Sequence, residues 1–306
     1  MRVLSWNINS LRLRLPLLAK LIRDQQPDVI CLQETKVQDH DFPRDWFAEH
    51  GYPHLLAAGI KSYNGVAIAS RWRLEQPMRH ARCGREDARH VSAVVAGIQL
   101  HNLYVPAGGD IPDPVANPKF AHKLEFYAEL AEFFASQNTD QKLMLVGDLN
   151  VAPLPEDVWN HRQLLAVVCH TPVEVAAYTK LQQAVGGVDA VRQLTPAPAP
   201  LFSWWSYRAH DWAASNRGRR IDHAWLSPDL VPQLRRAEIL REQRGQQPAL
   251  PPPSDHVPLL VELAVAKPEI EGLKRAADAL DRLLQEQGMA EDALVQEYRQ
   301  LREQNP

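Results

Sequence analysis

The chain lacks what a disulfide-stapled or membrane-spanning protein needs. It has three cysteines, Cys31, Cys83 and Cys169, an odd and widely spaced set with no CxxC pair. That gives no disulfide framework and no sign of a zinc or redox motif, and it fits free thiols in a reducing compartment. No apolar run approaches the roughly 18 residues needed to span a bilayer. No leader pattern precedes the first strand-like residues, so a cytoplasmic protein is expected. A surplus of positive charge is also missing: 34 basic residues face 37 acidic ones, a net charge of −3. Nucleic-acid binders usually carry a basic stripe, so any such binding here must rest on a local patch. What is present is ample for a globular fold. The 306 residues are 45% apolar and 23% charged, enough for a sizeable core.

Apolar spacing predicts a mixed α/β chain. Strands are expected over Val3–Ile8, Val29–Gln33, Gly65–Ala69, Leu143–Val146, Ile221–Leu226 and Pro258–Leu263, with a hairpin of Val91–Ala96 and Ile98–Val105 about Gly97. Leu17, Leu18, Leu21 and Ile22 recur at helical spacing behind Pro16, which is read as the helix start. Phe120, Leu124, Tyr127, Ala131 and Phe134 form a second amphipathic stripe, and Pro172–Gln183 a third helix. Thr195–Pro200 and Gln247–Pro253 read as proline-rich loops. Residues 264–306 differ in style, with Ala, Leu, Glu, Gln and Arg, and two helical stripes broken at Gln287–Gly288. They read as a helical hairpin appended to a main domain of residues 1–263. The hairpin carries six basic and nine acidic residues, which leaves the main domain balanced at 28 against 28.

Polar motifs cluster where predicted strands end, the usual place for ligand and catalytic groups. They are Trp6-Asn7-Ile8-Asn9, Gln33-Glu34-Thr35-Lys36, Tyr104-Val105-Pro106, Gly147-Asp148-Leu149-Asn150 and Ser254-Asp255-His256; Arg220-Ile221-Asp222-His223 opens a strand. Each alone is an ordinary strand exit, and together they meet the needs of phosphodiester hydrolysis. A hard divalent cation prefers oxygen ligands and takes one or two carboxylates; Glu34, with Asn7 and Asn9, suits it. Asp148 and Asn150, two apart on one strand end, should point to the same side and serve the attacking water. His256 could stabilise growing phosphate charge if a carboxylate such as Asp222 holds it protonated. His101, His161 and His170 have no partner visible in the sequence and are read as structural.

In their order, these motifs resemble the exonuclease III and abasic-site endonuclease family of the endonuclease/exonuclease/phosphatase superfamily. The resemblance covers residues 1–263. It includes Tyr-Val-Pro-Ala-Gly-Gly-Asp at 104–110, Phe-Ser-Trp-Trp at 202–205 with Tyr207-Arg208, and Asn216 to Asp222. It implies a four-layered α/β sandwich: two packed, largely antiparallel mixed sheets with helices outside. It implies Mg²⁺, with Mn²⁺ as a substitute. Residue by residue it implies Glu34 as main metal ligand, with Asn7 and Asn9 beside it and Asp255 linked to metal or water. Asp148 would activate or orient the nucleophile, Asn150 bind it, Asp222 orient His256 at the scissile phosphate, and Tyr104 hydrogen-bond that phosphate. The implied activities are incision 5′ to abasic sites, 3′→5′ digestion of duplex DNA and 3′-end cleaning. The chain departs from the pattern at Ala107, where several relatives have Asn or Gln, and at Arg219, where some have a large apolar residue. The 264–306 extension is absent from compact members.

The expected DNA contacts are Lys36, Arg89, Trp204, Arg208, Arg217 and Arg219. Residues 201–225 concentrate positive charge in Arg208, Arg217, Arg219, Arg220, His210 and His223, interleaved with Trp204, Trp205, Tyr207 and Trp212; cations on phosphate and aromatic wedges are standard devices. Three readings follow. The leading one is a monomeric DNA-repair nuclease acting on duplexes with abasic sites or blocked 3′ ends. The second is the same core acting on RNA or on a lipid or inositol phosphate, which the Trp-and-Arg loop and the lack of a membrane-facing segment disfavour. The third is a binding module without catalysis, against which every expected catalytic position is filled. The hairpin would dock on the main domain, pair with another chain or hold a partner; docking is preferred because short helices rarely persist alone.

Overall fold

Side-chain alternation along the strands sorts apolar residues into three layers. In the computed structural model, which describes residues 1–137, 141–209 and 211–267, two six-stranded sheets face each other. With strands numbered in chain order, the first sheet runs β13 (Leu234–Ile239), β14 (Leu259–Leu263), β1 (Arg2–Asn7), β2 (Val29–Gln33), β4 (Tyr63–Ser70) and β3 (His54–Ile60). The second runs β5 (Glu75–Arg79), β6 (His90–Val95), β7 (Ile98–Tyr104), β8 (Leu143–Asp148), β12 (Asp222–Leu226) and β9 (Val188–Asp189). A two-stranded ribbon, β10 (Trp204–Trp205) and β11 (Gly218–Arg219), lies apart. Val29 and Cys31 point into the layer between the sheets, where they meet Val146 and Leu100, while Ile30 and Leu32 point outward. Such two-residue periodicity is what a strand buried on both faces requires.

The sheets are mixed because β1–β2 and β7–β8 pair in parallel and the other pairs are antiparallel. Each parallel pair needs a long crossover. These are the helices α1 (Leu11–Gln25) and, after the short α2 (Arg44–Glu49), α3 (Pro118–Ala135). Leu17, Leu18 and Leu21 of α1 cover one outer face; Phe126, Leu130 and Phe134 of α3, with Tyr178 and Leu181, cover the other. The result is the four-layered sandwich that the resemblance implied. Across the central layer, Gln33 Nε2 donates to Asn102 Oδ1 at 2.7 Å, and Asn102 Nδ2 donates to the carbonyls of Leu32 and Ala67. This amide pair ties the sheets together just beneath the ends of β1, β2 and β7.

Some sequence expectations shift. Pro16 lies within α1 rather than at its start. A proline there removes one backbone donor without ending the helix, since α1 is held by its buried leucines. The strands β3, β5 and β13 carried too little pattern to be seen; β5 is exposed throughout. Residues Met1–Val265 form one compact unit. The helical hairpin expected over 264–306 lies outside the described residues from 268 onward.

His101 is not isolated. Arg82 can only donate, so His90 Nδ1 accepts from it at 3.0 Å; His90 Nε2 then donates to His101 Nδ1 at 2.9 Å. His161 and His170 likewise pair at 2.8 Å. Burial, with the nearby charges of His80 and Arg82, lowers His101 to about 3. A folded-state pKa below the unfolded value near 6.5 gives stability that is complete above pH 6.5 and is lost as pH falls toward 3. At pH 5 this one ring is worth on the order of 2 kcal/mol. Thermal midpoints should therefore fall between pH 7 and pH 5, and His101→Leu should flatten that slope. An identical slope in the variant would remove His101 from the account.

Candidate active site

Three adjacent strands of the second sheet end together, and their registers set the first half of the site. Tyr104 on β7 pairs with Asp148 on β8, which pairs with Asp222 on β12. Gly147 precedes Asp148 for a steric reason: at φ +142 a Cβ would lie 2.0 Å from the Leu103 carbonyl oxygen. The first sheet supplies the other half. Asn7 ends β1 in register with Gln33 at the end of β2, and Glu34 follows. Glu34 has a left-handed backbone, φ +48, which costs a non-glycine residue about 1–3 kcal/mol. The cost is borne where Ser10 N–H bonds the Glu34 carbonyl at 2.8 Å and Thr35 N–H bonds Gly65.

These strand ends, with the loop carrying His256, converge on one cleft of about 1100 Å³ lined by Glu34, Tyr104, Asp148, Asn150, Asp255 and His256. Oxygen or nitrogen atoms of Glu34, Asp148 and His256 all lie within 4.8 Å of one another. Asn7 Nδ2 bridges the two carboxylates, 3.0 Å from Glu34 Oε1 and 2.9 Å from Asp148 Oδ2. Its oxygen accepts from Asn9 N–H. Asn9 Nδ2 donates to Asp255 Oδ1 at 2.9 Å, and Trp204 Nε1 donates to Asp255 Oδ2 at 3.0 Å. His256 Nδ1 meets Asp222 Oδ2 at 2.9 Å, which leaves Nε2 facing Asp148 Oδ2 at 3.7 Å.

Charge in the cleft is poised for chemistry. Burial disfavours charged His256, but the Asp222 and Asp148 carboxylates outweigh it and raise the imidazole to about 10. It is a cationic donor at neutral pH. Burial raises Asp148 to about 7, with Asp222 and Glu34 adding to the push and His256 and Asn7 opposing it. A carboxylate near neutrality is suited to general-base work. Burial would raise Glu34 too, but the Asn7 hydrogen bond and the Lys36 ammonium pull it below its ordinary value. Burial beside Glu34 and Asp148 pushes the Tyr104 phenol well above its usual value, so it stays a donor.

The donor set fits a hard cation. Lys36 Nζ rests between Glu34 Oε2 at 2.9 Å and Asn9 Oδ1 at 2.5 Å, so these two oxygens are already placed to hold positive charge. Carboxylate and amide oxygens are what a hard divalent cation takes.

Asn150 reaches the cleft by a different route from the one its spacing suggested. β8 stops at Asp148, and Asn150 turns in with φ +55. Its N–H donates to Asp148 Oδ1 and its Nδ2 to the Val105 carbonyl at 2.8 Å. Strand alternation does not orient the pair; the turn does. Buried Lys123 secures it, donating to the Asn150 carbonyl at 2.7 Å while paired with Glu174.

The basic stretch divides. Arg208 and Arg217 are exposed at the cleft, and Arg217 lies over Trp159 at 4.8 Å. Arg219 lies over Trp204 at 5.2 Å and donates to the Val168 carbonyl. Arg220 and His223 are not part of a DNA-facing patch. Arg220 is buried against Asp157 and Asp189, and His223 contacts Val151 and Tyr178. His223 is turned inward by β12 and Arg220 lies buried just before it, where a basic DNA-facing stretch was expected. His210 lies outside the described residues. Arg89 is also spoken for: it pairs with Asp87 at 2.7 Å and stacks on Tyr104 at 4.7 Å.

Sequence reasoning missed two supports. Ser203 Oγ donates to Asp222 Oδ2 at 2.6 Å. Arg14 donates to the carbonyls of Ile8, Asn9, Pro252 and Pro253, stitching the first motif to the proline-rich approach to His256. A lone Ser and a helical Arg carry no local signal of either task.

Residues 4–256 match the model of the Endonuclease/Exonuclease/phosphatase family. The chain is 32% identical over 276 residues to an exodeoxyribonuclease III of Haemophilus influenzae, covering 86% of this chain and 99% of that protein. It is 28% identical to the DNA repair nuclease APEX1 of Danio rerio, covering 87% and 83%. Among solved structures, an AP endonuclease from Archaeoglobus fulgidus superposes with a TM-score of 0.79 at 30% identity, covering 87% of this chain and all of that one. The 3′ phosphatase NExo from Neisseria, bound to a product DNA hairpin, gives 0.79 at 31%, covering 86% and 99%.

Proposed function

The chain belongs to the endonuclease/exonuclease/phosphatase family, and from that premise we propose that it is a metal-dependent DNA-repair phosphodiesterase. It incises 5′ to abasic sites, digests duplex DNA 3′→5′ and clears blocked 3′ ends. The observation that carries this reading is the convergence of Glu34, Asp148 and His256 within 4.8 Å in one cleft, beside the indole and guanidinium groups of Trp204, Arg208, Arg217 and Arg219. Relatives named as exodeoxyribonuclease III and DNA repair nuclease support it.

In this reading Glu34, with Asn7, Asn9 and Asp255 around it, holds Mg²⁺, or Mn²⁺ in its place; the ion offsets phosphate charge when bound. Asp148 takes the proton of the attacking water, which Asn150 helps to position. His256, held charged by Asp222, donates to a non-bridging phosphate oxygen, and Tyr104 adds a second donor. Trp204 and the exposed arginines hold the duplex, and Lys36 lines an adjoining pocket that shares Glu34 and Tyr104 with the cleft, where Arg89 is engaged by Asp87. All the candidate catalytic groups come from one chain, so the chemistry needs no second copy. No described helix is long and apolar enough to cross a membrane.

The test is a labelled duplex with one abasic analogue. Nicking with Mg²⁺ that stops on adding EDTA is the expected result. Turnover only of RNA or inositol phosphates would overturn the DNA reading. Affinity should also fall steeply with salt. Three phosphate contacts give a log–log slope of about −2.7, roughly a 40-fold loss between 50 and 200 mM. Changing Arg208 and Arg217 together to Ala should remove about two units of that slope; an unchanged slope would put the contacts elsewhere.

A further inference from the structure

We propose a zinc site outside the cleft, formed by Cys83 in the β5–β6 loop and by His122 and Glu125 on α3. His122 and Glu125 are three apart on α3 and so share a face, with His122 Nδ1 3.9 Å from Glu125 Oε2. The Cys83 sulfur completes a group whose candidate ligand atoms all lie within 4.8 Å of one another. Cys83 is held there from both sides. Its N–H donates to Glu129 Oε2 at 2.5 Å, and Glu129 Oε1 takes Arg82 at 3.3 Å.

An independent observation points to a missing partner. The His122 side chain is only 11% exposed, and both of its ring nitrogens are buried with no hydrogen-bond partner among the described residues. Buried polar atoms are nearly always satisfied, and each that is not costs about 1–3 kcal/mol. A cation on Nδ1 supplies one partner. The other nitrogen, Nε2, faces Asp87 Oδ2 at 3.8 Å. A carboxylate behind a histidine that ligates through its other nitrogen is the usual support of a zinc-bound imidazole. Thiolate, imidazole and carboxylate are the zinc donor set, with water as the fourth ligand. A bound cation would hold the Cys83 sulfur as the thiolate, since zinc takes deprotonated cysteine. The His80, His90 and His101 group does not compete, because Arg82 donates into it.

The ion would tie the 80–88 loop to α3. Asp87, behind His122, also holds Arg89, the guanidinium that stacks on Tyr104 in the cleft. The site would thus brace one wall of the catalytic cleft while taking no part in the chemistry.

The experiment uses the full chain, stripped with EDTA and reloaded with Zn²⁺ or Co²⁺ alone. One zinc per chain is expected beyond any ion that the Glu34 cleft takes up, and with it a thermal midpoint raised by about 5–10 °C at roughly a hundredfold excess over Kd. Co²⁺ should give a thiolate-to-metal absorption band. Cys83→Ser and His122→Ala should each abolish that band and the thermal shift, whereas Glu34→Ala should keep both. Absence of a cobalt–thiolate band, or a band that survives Cys83→Ser, overturns the proposal. Mg²⁺-dependent nicking by Cys83→Ser, measured alongside, reports separately on the nuclease reading.

Discussion

Asp148→Asn is expected to lower turnover on an abasic duplex by about 10³-fold, within the 10²–10⁴ typical of a positioned acid or base, while leaving affinity within about threefold. The carboxylate is fully enclosed, takes Asn7 on the same oxygen that faces His256, and is raised by burial to about 7. An amide of the same size fills the space but can accept no proton. Removing a negative charge from a cleft that must receive phosphate gives no electrostatic reason for weaker binding. The wild-type rate should climb with pH through about 7 as Asp148 ionises, and fall only as His256 loses its proton near 10. The Asn variant should lack the acid limb. Single-turnover rates and a separate binding titration divide the two effects; a variant rate within threefold of wild type would take the base role away from Asp148.

The sequence disclosed the groups of this cleft better than the framework that aims them. Glu34, Asp148 and His256 were visible because carboxylates and a histidine at strand exits carry a local chemical signal. The strands themselves were legible as short apolar runs, Val29–Gln33 and Leu143–Val146, each running into polar residues. The supports were not legible, because each acts across a long stretch of chain. Arg14 reaches Pro253 over 239 residues, and Gln33 reaches Asn102 over 69. Asn150 shows the limit of local reasoning most directly: the residue was found by its spacing, but a left-handed turn rather than the strand pleat brings it in. Arg220 shows the opposite error. Its neighbours Arg217 and Arg219 suggested a basic surface, and nothing in the local sequence says that Asp157 and Asp189 wait beneath.

That burial makes Arg220→Met the substitution with the largest expected effect on stability. The Arg220 guanidinium grips Asp157 through two bonds, Nε to Oδ1 at 2.8 Å and Nη2 to Oδ2 at 2.9 Å, and reaches Asp189 Oδ2 at 2.6 Å through Nη1. Arg192 adds a bond to Asp157 at 2.5 Å. Burial alone would favour a neutral Arg220, but Asp189 and Asp157 overcome it and hold the cation above its ordinary pKa. With methionine in its place, Asp189 Oδ2 is left with His223 3.9 Å away while its Oδ1 keeps the backbone N–H groups of Val191 and Arg192, and Asp157 keeps the Arg192 side chain. Breaking a buried pair from one side costs about 3–5 kcal/mol, because the remaining charge stays out of water. For a domain of this size that lowers the thermal midpoint by about 10 °C. Arg220→Lys should recover little, since an ammonium cannot reproduce the two-bond grip. The contrast with the cleft arginines makes the test sharp. Arg208→Ala with Arg217→Ala should leave the midpoint nearly unchanged and flatten the salt dependence of binding, whereas Arg220→Met should do the reverse at a temperature where it remains folded. A midpoint within 2 °C of wild type, or a flattened salt slope in Arg220→Met, would return Arg220 to the DNA-facing surface.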